Sequence, residues 1–179
     1  MTKLSYLKAL PKELQEKLKN TNVIISDLKI DPETDAAPIE KIADRLNLIP
    51  SYTEDEYGDN TIHLRIWMSP ENIRFAIAKA IANRIFNRKE IITRLLEEEV
   101  ENNKAFENEI AEYQELIERK ISLANNADAR QLLLPNKIFS LALEHTKQKS
   151  INEKQLIHKL AKQFQVTPFL IEQELQTRN

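Results

Sequence analysis

Apolar residues recur at every third or fourth position along most of the chain, which is the spacing of amphipathic α-helices. Prolines and capping residues divide this pattern into segments, because both are typical of helix starts. The pattern predicts six helices, over residues 11–20, 38–46, 69–86, 135–143, 150–163 and 167–175. In the third of them, Ile73, Ile77, Ile81 and Ile85 lie four apart and predict the central buried stripe of the fold.

The predicted helix starts carry recognisable caps. Ser69 and Thr167 each stand directly before a proline and predict N-caps. Ser150 stands three residues before Glu153, the spacing of a capping box. The two helices over 150–163 and 167–175 together predict a helix-turn-helix-like unit.

One segment alternates with the period of a β-strand instead. Residues 48–52 and 61–68 flank the turn-forming cluster Gly58-Asp59-Asn60, which favours a hairpin. The hairpin predicts a small antiparallel sheet with Trp67 on its outer face. The ring is expected to lie under the helical arm described next, and the alternative is that it forms part of a peptide-binding edge. The second strand would bury Ile62, Leu64, Ile66 and Met68 and expose His63, Arg65 and Trp67.

A long helical arm follows the third helix. The helical spacing continues from residue 88 to about 123, and residues 97–118 contain nine acids and one base. A kink or a hairpin is expected at Asn102-Asn103. The arm either packs on the domain or pairs with a second copy as a coiled coil, and the second alternative predicts self-association through residues 88–120.

The elements together predict an α+β fold that is predominantly helical. A small antiparallel sheet packs on a core helix, and the long arm and the C-terminal helix-turn-helix-like unit complete it. The predicted division is an N-terminal helical segment at 1–30, a central domain at 31–147 that contains the arm at about 88–120, and the C-terminal unit at 148–179.

The composition excludes several classes of active site. Gly58 is the single glycine, so glycine-rich phosphate loops and nucleophile elbows are excluded. The chain has no cysteine, which excludes thiol catalysis and disulfides. The three histidines, His63, His145 and His158, are too far apart for an H-E-x-x-H zinc motif. No apolar window approaches the ~20 residues that span a bilayer, so we expect a cytoplasmic protein without a membrane partner.

Five motifs carry a resemblance to a known family. The chain contains, in this order, the segments APIEKIADRLNL (37–48), TIHLRIWMS (61–69), RFAIAKAIAN (74–83), NADARQLLLP (126–135) and LAKQFQVTPFLIEQEL (160–175). Their order and spacing resemble the ImmA/IrrE family of zinc metallopeptidases. The resemblance covers most of residues 37–175 apart from the arm, and it implies a zincin-like core helix at 69–86.

The family's zinc-binding groups are replaced in this chain. The third segment in active members reads R-F-x-x-A-H-E-x-x-H, in which two histidines bind zinc and the glutamate polarises the bound water. Lys79, Ala80 and Asn83 stand at those positions, and Ala124 stands where the third ligand, a glutamate, would fall. A protonated lysine repels a divalent cation, and alanine offers no ligand. The resemblance therefore implies a zinc-free, catalytically inactive pseudo-peptidase with no cofactor.

A protein-binding role is the leading functional prediction. Active relatives act on helix-turn-helix transcription regulators of mobile elements and stress responses, so the resemblance implies that an inactive member retains the cleft to hold such a regulator. The residues expected to line that cleft are Arg65, Trp67, Lys79, Asn83 and Asn126.

Two other functions stay open at this stage. DNA binding through residues 150–178 is the alternative, but the last helix offers only Gln173 and Gln176 beside Glu172 and Glu174, and acidic residues disfavour contact with phosphates. Hydrolysis with unconventional ligands would use Glu97, Glu98 and His145, and it is the weakest hypothesis because no spacing places them together.

Overall fold

The computed structural model describes residues 3–52, 60–88, 90–91, 93–95, 97, 107–150 and 152–178. Helices dominate these residues, and four short strands accompany them. The helices are α1 (Tyr6–Ala9), α2 (Lys12–Lys19), α3 (Ile39–Arg45), α4 (Pro70–Phe86), α5 (Glu107–Leu133), α6 (Asn136–Lys147), α7 (Glu153–Phe164) and α8 (Pro168–Gln176). The strands are β1 (Leu4–Ser5), β2 (Lys29–Ile30), β3 (Ile49–Ser51) and β4 (Thr61–His63). The predominantly helical α+β class is confirmed.

The strands form two small sheets of opposite kinds. β1 and β2 pair antiparallel, with Leu4 opposite Ile30. β3 and β4 pair parallel, with Ile49 opposite Thr61. The prediction of an antiparallel hairpin from these two segments is wrong, because alternation identifies the buried face of a strand but not the direction of its neighbour. Gly58 and Asp59 of the predicted turn lie outside the described residues.

The second predicted strand is also shorter than expected. Ile62 and Leu64 are buried as predicted, but Ile66 is 88% exposed. The amide of Met68 donates to the carbonyl of Arg65 at 2.9 Å, so the chain turns there instead of continuing the strand. β4 therefore ends at His63, immediately before the turn that leads into α4.

The predicted helices over 11–20, 38–46 and 69–86 correspond to α2, α3 and α4. In α4, Ile81 is fully buried and Ile85 nearly so, whereas Ile73 and Ile77 are only partly buried. Ala78 and Ala82 are fully buried instead. Ile73 and Ile77 still pack on the core, so the predicted stripe belongs to the core face of α4. That face is broader than one row of isoleucines, because α4 packs against α2, α3, α5 and β4.

Caps set the helix starts in three places. The Ser69 and Thr167 hydroxyls accept hydrogen bonds from the amides of Asn72 and Leu170, each at 3.3 Å, as predicted. The predicted capping box is wrong, because the Asn152 side chain accepts from the Gln155 amide at 2.9 Å and caps α7. The hydroxyl of Ser150 instead donates to the carbonyl of Thr146.

α5 runs without interruption from Glu107 to Leu133. The predicted end of the arm helix near residue 123 is therefore wrong, and the NADARQLL part of the fourth motif lies within α5. The Asn102-Asn103 kink lies outside the described residues. The described positions between 88 and 97 are helical.

One hydrophobic cluster joins elements from the N-terminal segment to α8. Tyr6 is fully buried, and its hydroxyl donates to the carbonyl of Leu132 in α5 at 2.5 Å. Burial raises the pKa of the Tyr6 phenol, so the hydroxyl stays a donor. Arg74 of α4 is 8% exposed, forms an ion pair with Glu40 of α3 and donates to the Ala37 carbonyl at 2.8 Å. The predicted division at residues 30 and 147 stays a prediction.

Candidate functional site

A cleft of about 640 Å³ opens beside β4 and one face of α4. We call it the α4 cleft. The residues that line it and matter for its chemistry are Thr61, Trp67, Phe75, Lys79, Asn83 and Asn125. Ala80 lines it as well, so positions 79, 80 and 83, three of the four at which the family resemblance would expect zinc chemistry, all contribute to the α4 cleft. Positions 79 and 83 lie four apart on a helix and share its face for that reason.

The walls of the α4 cleft are largely apolar. Ile62 is buried at its side, and Phe75 and Ala80 are partly buried and pack on the core. Trp67 is 73% exposed, so the expectation that this ring lies under the helical arm is wrong. The guanidinium carbon of Arg65 lies 5.4 Å from the centre of the Trp67 ring, a cation–π distance. Arg65 thus lies beside Trp67 and is absent from the cleft lining.

The α4 cleft contains one lysine and no carboxylate among its described lining residues. Lys79 is partly buried and makes no hydrogen bond or ion pair with any residue that the structure describes. An ammonium held near apolar walls interacts with an anion more strongly than it does in open water. The electrostatics of the cleft therefore favour a ligand that carries a carboxylate or another anionic group.

Asn125 of α5 faces Asn83 of α4. Its amide nitrogen donates to the side-chain oxygen of Asn83 at 3.5 Å, at the outer limit for such a bond. Arg88 donates to the Asn125 side-chain oxygen and pairs with Asp128, which ties the end of α4 to α5. The Arg88 guanidinium also lies 4.3 Å from the centre of the Phe86 ring.

The structure thus brings Asn125 to the α4 cleft, while Ala124 is absent from its lining. Sequence reasoning missed Asn125 although a signal was present. Asn125, Ala129 and Leu132 are all buried and follow the helical spacing of four and three, which marks the face that α5 turns toward the core. Ala124 lies off that stripe. Recognising that α5 continues through this segment would have indicated Asn125.

A second cleft of about 420 Å³ lies where α4, α5 and the start of α8 meet. We call it the α8 cleft. Its lining includes Asn72, Phe75, Leu123, Asn126, Arg130 and Phe169. Asn126, expected beside Lys79, therefore lies in the α8 cleft instead. The five predicted cleft residues divide accordingly into Trp67, Lys79 and Asn83 in the α4 cleft, Asn126 in the α8 cleft, and Arg65 outside both.

Within the described ranges, no group of three or more His, Asp and Glu residues is arranged to hold a metal ion. His145 contacts other partners, with its Nε2 at 3.4 Å from Glu33 Oε2 and 2.8 Å from Lys149 Nζ. Glu97 is exposed, and Glu98 lies outside the described residues. No helix in the part of the chain that the structure describes is long and apolar enough to cross a bilayer.

Comparison with protein-family models, with curated proteins and with solved structures gave no match for this chain.

Proposed function

We propose that the protein is a catalytically inactive relative of the ImmA/IrrE peptidases that holds a segment of a protein partner in the α4 cleft. One observation carries the proposal. Lys79, Ala80 and Asn83 occupy the cleft at the spacing where a zincin would carry its two histidines and its glutamate. A protonated amine, a methyl group and an amide supply neither a zinc site nor a general base.

The volume and the lining of the α4 cleft support binding of a partner segment without catalysis. Its volume lies within the range of about 300–1,000 Å³ that ligand sites occupy. Trp67 is exposed at its margin, and tryptophan is enriched among the side chains that dominate protein–protein binding. Because Lys79 has no partner in the described structure, the cleft favours a partner segment that combines apolar side chains with a carboxylate.

The resemblance suggests the kind of partner. A regulator of the helix-turn-helix type, from a mobile element or a stress response, is the partner that the family implies. The α4 cleft is compatible with a segment of such a regulator, and a cytoplasmic location follows from the same proposal.

Site-specific photo-cross-linking in the native host tests this function. A photoreactive p-benzoylphenylalanine in place of Trp67 is expected to cross-link to one discrete protein, because this ring position borders the α4 cleft. The matched control position is Ile24, which is 74% exposed and lines neither cleft. The same set of products at both positions, or no product at Trp67, would contradict the proposal.

DNA binding through the C-terminal unit is the second candidate, and the exposed lysines of α7 favour it. Lys154 and Lys162 lie about two turns apart on α7 and are both exposed to solvent, as phosphate contacts require. The start of α8 is less suitable, because it exposes Phe169 and Glu172 where a reading helix needs donors. We expect no gel shift of duplex DNA at low salt, and a salt-dependent shift would favour this candidate instead.

Self-association through residues 88–120 is a further proposal. Leu116 of α5 is 47% exposed, so it is a position at which contact with a second copy can be tested. The same photoreactive residue at Leu116 would capture a covalent dimer, and a monomer alone would count against this contact.

A further inference from the structure

The α4 cleft and the α8 cleft meet at the first turns of α4. Asn72 and Phe75 line both of them. Phe75 is partly buried and packs on the core, so it forms a fixed boundary that both clefts share. A polypeptide that leaves the α4 cleft past Phe75 therefore enters the α8 cleft without crossing an intervening element.

The far wall of the α8 cleft belongs to the helix-turn-helix-like unit. Thr167 caps α8, and Phe169 follows at the second position of that helix. Leu170 and Ile171 are buried in the core, whereas Phe169 is 65% exposed. Leu123 of α5 lines the same cleft and is 62% exposed. Two large, exposed apolar side chains thus border the same cleft. Such grouping is typical of a binding surface, whereas apolar residues exposed singly are common on any protein.

The polar groups of the α8 cleft are incompletely satisfied. The side-chain oxygen of Asn126 is buried and accepts no hydrogen bond in the described structure. The guanidinium of Arg130 has no hydrogen-bond or ion-pair partner among the described residues. The carboxylate of Glu71, which also lines the cleft, is already engaged, since hydrogen bonds from its own amide and from Ser69 lower its pKa. Because the Asn126 oxygen is buried from solvent, Arg130 is the cationic donor that the cleft presents to an incoming group.

A polypeptide has the complementary chemistry. Each of its peptide units offers a carbonyl oxygen, which suits the Arg130 guanidinium. An acidic side chain would suit Arg130 and Lys79 better still, because both are cations without a partner in the described structure. Apolar side chains at the two ends of the segment would contact Trp67 and Phe169.

We propose that the partner segment spans both clefts, with one apolar side chain against Trp67, an acidic stretch near Lys79 and Arg130, and a second apolar side chain against Phe169 and Leu123. The inference rests on the proposed function and extends it. It assigns the start of α8 to protein binding, in place of the base-reading role that a helix-turn-helix pattern would suggest.

Peptide selection tests the continuous site with a defined probe. Twelve-residue random peptides displayed on phage would be selected against the immobilised full chain, and the affinities of the selected peptides would then be measured by fluorescence anisotropy. We expect acidic peptides with apolar residues toward both ends. Trp67→Ala and Phe169→Ala are each expected to weaken their binding by about tenfold or more, as central contacts do. Ile24→Ala, at an exposed apolar position outside both clefts, is expected to change it less than about twofold.

The outcomes separate the two proposals. Peptides that lose affinity with Trp67→Ala but not with Phe169→Ala would overturn the continuous site and leave the function of the α4 cleft standing. Peptides that respond only to Phe169→Ala, or to neither change, would overturn both proposals, as would a selection that yields no binding peptide. Both positions are exposed, so circular dichroism of each variant is expected to match that of the natural chain.

Discussion

Phe139→Ala is expected to lower the free energy of unfolding by about 3–5 kcal/mol, the range for removing a buried phenylalanine. The Phe139 ring in α6 is fully buried, and its centre lies 5.6 Å from that of the Phe164 ring in α7. The guanidinium of Arg178 lies 4.6 Å from the Phe139 ring centre. The substitution therefore removes buried area, an aromatic pair and a cation–π contact together. A domain has about 5–15 kcal/mol of stability in total, so the loss is a large part of it.

Urea unfolding followed by circular dichroism measures this effect, and the chain provides a control of the same residue type. Phe169 is 65% exposed, so Phe169→Ala is expected to change the unfolding free energy by no more than about 0.5 kcal/mol. A decrease of less than about 1 kcal/mol in the free energy of unfolding for Phe139→Ala would show that this part of the core is not packed as described. The pairing of α6 with α7 would then need revision.

The second large effect is the gain of a metal site. The combination of Lys79→His, Ala80→Glu, Asn83→His and Asn125→Glu is expected to bind zinc stoichiometrically. Positions 79 and 83 share one face of α4 and line the α4 cleft. Asn125 approaches Asn83 to 3.5 Å from α5, so a glutamate there supplies the third ligand. Two histidines and one glutamate are the ligand set of one common class of catalytic zinc site.

Zinc content after dialysis and competition with a chromophoric chelator measure the gain. The natural chain is expected to retain no stoichiometric zinc. A control variant that carries Ala124→Glu in place of Asn125→Glu is expected to bind zinc at least about tenfold more weakly, since loss of even an outer hydrogen-bond partner costs about 10–100-fold. A correctly folded four-residue variant without zinc would contradict the geometry of the cleft. Stoichiometric zinc and peptide cleavage by the natural chain would contradict the proposed function.

Predictions based on local interactions agree best with the structure. The extents of α2, α3 and α4 follow from spacing within a few turns, and the caps at Ser69 and Thr167 bond to amides three residues away. The capping box at Ser150 failed for an equally local reason. Asn152, two residues further on, competes for the same role and caps α7.

Predictions that depended on the packing of distant segments agree less well. The alternation over 61–68 indicated a strand but overestimated its length, since Ile66 lies in a turn and is exposed. The assignment of Ala124 to the third-ligand position stays a prediction, and the structure places its neighbour Asn125, not Ala124, in the lining of the α4 cleft. Asn126 was expected in one cleft and lines another.

The sequence by itself determined six of the eight helices described, two of their three side-chain caps and the amine, methyl and amide side chains at positions 79, 80 and 83. These features depend on residue identity, or on spacing and hydrogen bonds within one or two helical turns. Only the tertiary structure decided that β3 and β4 run parallel, that α5 turns Asn125 toward α4, and that two clefts share Phe75. Each of these features depends on how segments that are distant in the sequence pack together. That packing minimises the apolar area exposed by the chain as a whole, which no single segment determines.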